Sequence, residues 1–150
     1  MMITHLNNYP TVTITFAPSQ WCKKQVKQCL ADLVASMELI ANQGHMFEML
    51  IQGSVEMANS KEPPPPLHVF TAVIAALIKN RNLLKNSLLC TAIFAPSASL
   101  QNMINYVLSV YTPTRPLKQF DNLENAKAWI LEQRIIGHQK YNEETEIKQE

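Results

Sequence analysis

Apolar and polar positions alternate along this chain with two different periods, and each change of period marks an element. In TVTITF, residues Val12, Ile14 and Phe16 alternate with Thr11, Thr13 and Thr15, the period-two pattern of a half-buried strand. ITHLNN, just upstream, is a shorter apolar run, and Tyr9 with Pro10 between the two predicts a hairpin. From Ser19, read as an N-cap after Pro18, Cys22, Val26, Cys29, Leu30, Leu33, Val34, Met37 and Ile40 recur at helical spacing, up to Asn42 or Gly44. FEMLIQ, from Phe47 to Gln52, predicts a central strand.

The stretch GSVEMANSKEPPPP follows, where Gly53, Ser54, Asn59, Ser60 and four consecutive prolines forbid regular structure and predict the main loop. A helix is expected from about Leu67 to Asn80, with Phe70, Ile74, Leu77 and Ile78 on one face and Ala72, Ala75 and Ala76 allowing close packing. Lys79, Arg81 and Lys85 lie at or beyond its C-terminal end, where cations complement the helix dipole.

The segment from Leu88 to Arg134 is the most regular. LLCTAIF predicts a buried strand, and Ser97 or Ser99 caps a helix that buries Leu100, Met103, Ile104, Val107, Leu108 and Tyr111. Thr112, Pro113 and Thr114 stop that helix. RPLKQF is the last strand, and Asp121 with Glu124 reads as a capping box for a helix packing Leu123, Ala126, Trp129 and Ile130 inward. Strands alternating with helices require parallel pairing through crossovers. The expectation is an α/β fold: one domain over residues 1–136, a mixed sheet of about five strands with about four helices, and a polar, flexible tail over 137–150.

Composition narrows the functional classes. At 150 residues and 47% hydrophobic, the chain is long enough for one core. A net charge of +1 provides no global field for nucleic acid, so no nucleic-acid partner is expected. The longest apolar run, Val69 to Ile78, is about half the roughly 20 residues needed to cross a bilayer, which predicts no transmembrane segment. MMITHLNNYP shows no charged region followed by an apolar one, so a cytoplasmic location is expected. Cys22, Cys29 and Cys90 form no CxxC pair and read as reduced thiols, with Cys90 serving packing.

Gly44, Gly53 and Gly137 do not cluster, and the chain contains neither a GxSxG elbow nor an HExxH pair. Strand three ends in Gln52, so the phosphoacceptor aspartate of a receiver domain is missing too. No catalytic, cofactor-binding or metal residue is therefore predicted, no cofactor is expected, and the chain reads as non-enzymatic. An enzyme or metal site would need His45 and His68 to converge with Glu48 or Glu62, which no spacing enforces. Lys23, Lys24 and Lys27 read as the solvated face of the first helix. Arg115 opens the last strand, where it could bind a carboxylate or phosphate; a structural ion pair is the expectation.

NSLLCTAIFAPSASLQNMINYVLSVY, followed by RPLKQFDNLENAKAWIL, resembles the closing half of STAS domains of the SpoIIAA-like, anti-sigma-factor antagonist group. Ala126 and Trp129 stand where that group's last helix packs on its sheet. The resemblance covers residues 3 to 134 by element order and the last fifty or so by wording. It implies a regulatory, non-catalytic domain that binds a protein partner. Regulatory members carry a D-S-S/T-G turn after the third strand whose serine or threonine is phosphorylated. Here that junction reads GSVEMANSKEPPPPLH, so the phosphoswitch does not carry over.

Two functions follow as expectations. The first is a protein-interaction domain whose partner, unidentified, docks on the loop and helix from Gly53 to Ile78, with Ser54, Ser60, Lys61, Pro63, Pro66, His68 and Thr71 as the residues of interest; a second copy of the chain is a further candidate partner. The second is a carrier of a small apolar, lipid-like ligand, since the SpoIIAA-like group also resembles lipid-binding α/β proteins and this chain is rich in Met and aliphatic residues. That reading requires a cavity between the last helices and the sheet.

Overall fold

A computed structural model describes residues 2–6, 9–16, 22–53 and 65–149. Five strands form one sheet in sequential order: β1 (Met2–Leu6), β2 (Tyr9–Phe16), β3 (Phe47–Gly53), β4 (Leu88–Phe94) and β5 (Leu117–Phe120). β1 pairs antiparallel with β2, and β2 through β5 are all parallel. The hairpin and the crossovers are those expected, although β2 already begins at Tyr9 and takes Pro10 into the ladder opposite His5.

Five helices are described: α1 (Lys23–Asn42), α2 (Leu67–Lys79), α3 (Arg81–Ser87), α4 (Ala98–Val110) and α5 (Leu123–Gln149). Because the parallel strands follow one another in order and crossovers share one hand, the connecting helices fall on one face of the sheet. Packing agrees. Val12, Ile14, Phe47, Met49 and Leu88 meet Leu33, Met37 and Ile40 of α1 and Leu84 of α3. Further along the same face, Ile93 and Ala95 meet Val69 of α2 and Leu100, Met103 and Ile104 of α4. On the opposite face Leu50, Cys90 and Ala92 receive Ala126 and Ile130 of α5.

A bulge reconciles these faces. Phe47 pairs with Leu88 but Met49 with Thr91, so Leu89 and Cys90 together oppose Glu48. The extra residue lets Leu88 and Ile93 share the helix-layer face while Leu89 and Cys90 pack toward α5.

Several local expectations are corrected. α2 packs Phe70 and Leu77 inward as expected but adds Val69 and Val73 and leaves Ile78 exposed, a partial rotation from the predicted face. Asn80 ends α2 and starts a separate short helix, α3, which raises the helix count above four. Ser97 caps α4, its hydroxyl accepting from the Leu100 N–H at 3.2 Å. The cap of α5 is Asn122, whose Oδ1 accepts from the Glu124 and Asn125 N–H groups at 2.8 and 3.2 Å, in place of the Asp121–Glu124 box. α5 continues through Gln149, so the polar segment from 137 on is helical in backbone; its Glu, Lys and Gln residues favour helix and nothing after Gly137 breaks it.

Candidate functional site: an apolar cavity under the helix layer

Between the sheet and α1, α2 and α4 lies a cavity of about 490 Å³. Its floor is Ile14, Met49, Ile51 and Ile93, one side chain from every second position of three adjacent strands. Leu30 and Leu33 of α1, Val73 and Leu77 of α2, and Met103 and Val107 of α4 form its walls. The cavity occupies the seam between the two clusters on this face, and Leu30 and Ile51 pack against both. It is not under the last helix. α5 fills the opposite face, so the space required by a ligand-carrier reading exists, but beneath α1, α2 and α4.

Polar groups sit at its edges. On α1, Gln25, Gln28 and Asp32 form one rim, with the Gln28 amide donating to Asp32 Oδ1 at 2.8 Å. Thr91, Tyr111, Thr114 and Arg115 mark another, where the middle of β4 meets the amino end of β5. Arg115 Nε donates to the Lys85 carbonyl at 2.8 Å. The ion pair expected of Arg115 is absent among the described residues, since β5 brings no carboxylate beside it.

The expected partner loop is described only in part. Ser54, Ser60, Lys61 and Pro63 lie outside the described residues. Pro66 is the exposed residue before α2, with φ −62° and ψ 153°. His68 is half-buried in the first turn. Thr71 is exposed, and its hydroxyl donates back to the Leu67 and His68 carbonyls at 3.3 and 3.2 Å. His45 precedes β3 whereas His68 follows it and neighbours Val69, which packs on Ala95 past the end of β4. The two histidines thus stand at opposite ends of a seven-residue strand, about 20 Å apart by strand rise. Among the described residues no three His, Cys, Asp or Glu side chains could hold a metal together.

Glu48 is elsewhere. It points to the α5 face with no exposed surface. Arg134 Nε donates to Glu48 Oε2 at 2.7 Å, Arg134 Nη2 donates to Oε1, and the Thr11 hydroxyl donates to Oε1 at 2.7 Å. Arg134 Nη2 also reaches Thr11 Oγ1 at 3.4 Å. This bidentate pair fastens α5 to the centre of the sheet. Two signals for it stood in the sequence: a lone carboxylate inside the apolar run FEMLIQ, and an arginine four residues beyond Ile130 on the inward stripe of α5.

The thiols differ by position. Burial pushes the Cys90 thiol up to about 12, helped by the nearby Glu48 charge and opposed by Arg134. Cys22, exposed before α1, is held below the usual thiol value by the Gln25 backbone N–H and then that of Lys24. Among the described residues no helix is long and apolar enough to cross a membrane. No protein-family model, curated protein or solved structure matches this chain.

Proposed function

We propose that this protein binds a small apolar or amphipathic molecule in the cavity between the sheet and α1, α2 and α4. The observation that carries the reading is the cavity itself: about 490 Å³ with aliphatic and Met walls, within the roughly 300–1,000 Å³ range of small-molecule sites. At about 30 Å³ per water-sized group it accommodates roughly sixteen methylene-sized units. The apolar probe N-phenyl-1-naphthylamine tests this directly. Saturable one-to-one binding is expected, with loss in Val73→Trp, whose indole would occupy the space. Thermal stabilisation by the probe should follow mass action, about 2.7 kcal/mol at a hundredfold excess over Kd. Equal probe binding by the wild type and Val73→Trp would refute the site.

A second reading is a non-catalytic STAS-like interaction domain, supported by the element order with its antiparallel first strand and by two exposed side chains of α2. Leu67 and Ile78, in the segment expected to dock a partner, are 68% and 59% exposed. A photo-crosslinker at Ala75, exposed on α2, should capture one reproducible protein in cells that a Leu67→Ser/Ile78→Ser variant no longer recruits. Identical capture by both proteins counts against this reading.

A further inference from the structure

We infer that the ligand is a single-chain amphiphile with an anionic head, seated with its head at Thr91, Tyr111 and Arg115 and its chain in the cavity; the inference rests on the cavity-binding reading. Three observations meet at that end. Thr91 is only 5% exposed and lines the cavity, yet its hydroxyl has no hydrogen-bond partner among the described residues. A buried hydroxyl without a partner is uncommon and calls for one. Tyr111, 6% exposed, lines the same space, and its phenol is likewise without a partner among the described residues.

Arg115 supplies the charge. The Thr91 N–H donates to the Pro116 carbonyl at 2.9 Å and Thr91 pairs with Leu117, two residues beyond Arg115, and both Thr91 and Arg115 line the cavity. Its Nε is taken by the Lys85 carbonyl, which fixes the side chain, while its terminal N–H groups make no hydrogen bond among the described residues. A guanidinium held by one N–H and free at the fork is arranged for a carboxylate or phosphate.

The surroundings favour the same sign. From Pro63 to Phe120 the chain has no Asp or Glu, but it has Lys79, Arg81, Lys85, Arg115 and Lys118. Lys79 and Lys85 lie in the last turns of α2 and α3 and answer the helix dipoles. Arg115 gives its Nε to the last turn of α3 through the Lys85 carbonyl, which leaves the two terminal nitrogens of its fork for a ligand. A chain of about twelve carbons with its head falls within the roughly sixteen units the cavity admits.

Laurate, dodecyl phosphate and dodecanol, titrated by calorimetry below their aggregation thresholds, separate the outcomes. Laurate or dodecyl phosphate is expected to bind the wild type about tenfold more tightly than dodecanol, the scale of a charged hydrogen-bonded contact. The tighter of the two anions identifies carboxylate or phosphate as the head. Arg115→Gln should remove that preference, and its circular dichroism spectrum and thermal midpoint show whether the fold is intact. Thr91→Val should weaken the anion several-fold without lowering the thermal midpoint, whereas a structural hydroxyl would lower it. Equal affinity of the wild type for all three, or a preference that survives Arg115→Gln, overturns the anionic assignment and leaves the cavity reading standing. If N-phenyl-1-naphthylamine also fails to bind, both fall.

Discussion

Replacing Arg134 by Met should destabilise the fold by about 3–5 kcal/mol, the cost of leaving a buried charge without its partner. The magnitude comes from burial. Glu48 has no exposed surface, and its carboxylate is satisfied by two groups, the Arg134 fork and the Thr11 hydroxyl. Removing the guanidinium strips both oxygens of their charged donors. For a domain of this size each kcal/mol moves the thermal midpoint by roughly 2–4 °C, so a drop on the order of 10 °C is expected by circular dichroism. Removing the pair as a unit is different. In Thr11→Val/Glu48→Met/Arg134→Met the carboxylate, the guanidinium and the hydroxyl that face one another all become apolar, and side chains of similar volume should restore most of the loss. The exposed Lys127–Glu124 pair on the same helix provides the contrast, with Lys127→Ala changing stability by less than about 0.5 kcal/mol. A cost below about 1 kcal/mol for Arg134→Met, or a triple variant no more stable than the single one, would refute the reasoning.

Two further outcomes test the packing. A Cβ at Gly53 would meet Pro96 Cδ at 2.7 Å and Cγ at 2.9 Å, a rigid ring, so Gly53→Ala should cost about 1–3 kcal/mol in denaturant unfolding; at Gly137 it meets only the tip of Leu89, and the gain in helix propensity should leave Gly137→Ala near neutral. Cys90 sets an alkaline limit. Below pH 9 its thiol is protonated in both states and contributes no pH dependence; between pH 9 and about 12 the unfolded thiol loses its proton while the folded one keeps it, so stability falls as pH rises, by up to about 1.4 kcal/mol per unit. Wild type should therefore lose stability faster than Cys90→Ala over pH 9–11, and parallel pH profiles would show that the thiol is not buried in the folded state.

What the sequence could reveal was whatever repeats locally. The period-two pattern of β2, the helical stripe from Leu100 to Tyr111 and the punctuation by Pro96, Ser97 and Pro113 are each set by residues a few positions apart, so the α/β class, the parallel crossovers and the inward face of α4 were legible. The rotation of α2 was not. Its apolar residues run nearly all round the helix, and only contact with the sheet, α1 and α4 selects Val69, Val73 and Leu77. The bulge at Leu89–Cys90 likewise depends on the neighbouring strand, and Asn122 outcompeted Asp121 as cap through the path the chain takes from β5.

The site divides in the same way. Glu48 and Arg134 were each visible as anomalies, but they are 86 residues apart and only the sheet order joins them. Arg115 was legible as an anion-binding candidate; that no carboxylate among the described residues answers it follows from the placement of β5 and α3. The cavity has no sequence signature, because the space between packed elements is set by how far α1 and α2 stand apart over the sheet. Local periodicity therefore determined the scaffold, and tertiary placement alone decided where it leaves room for a ligand.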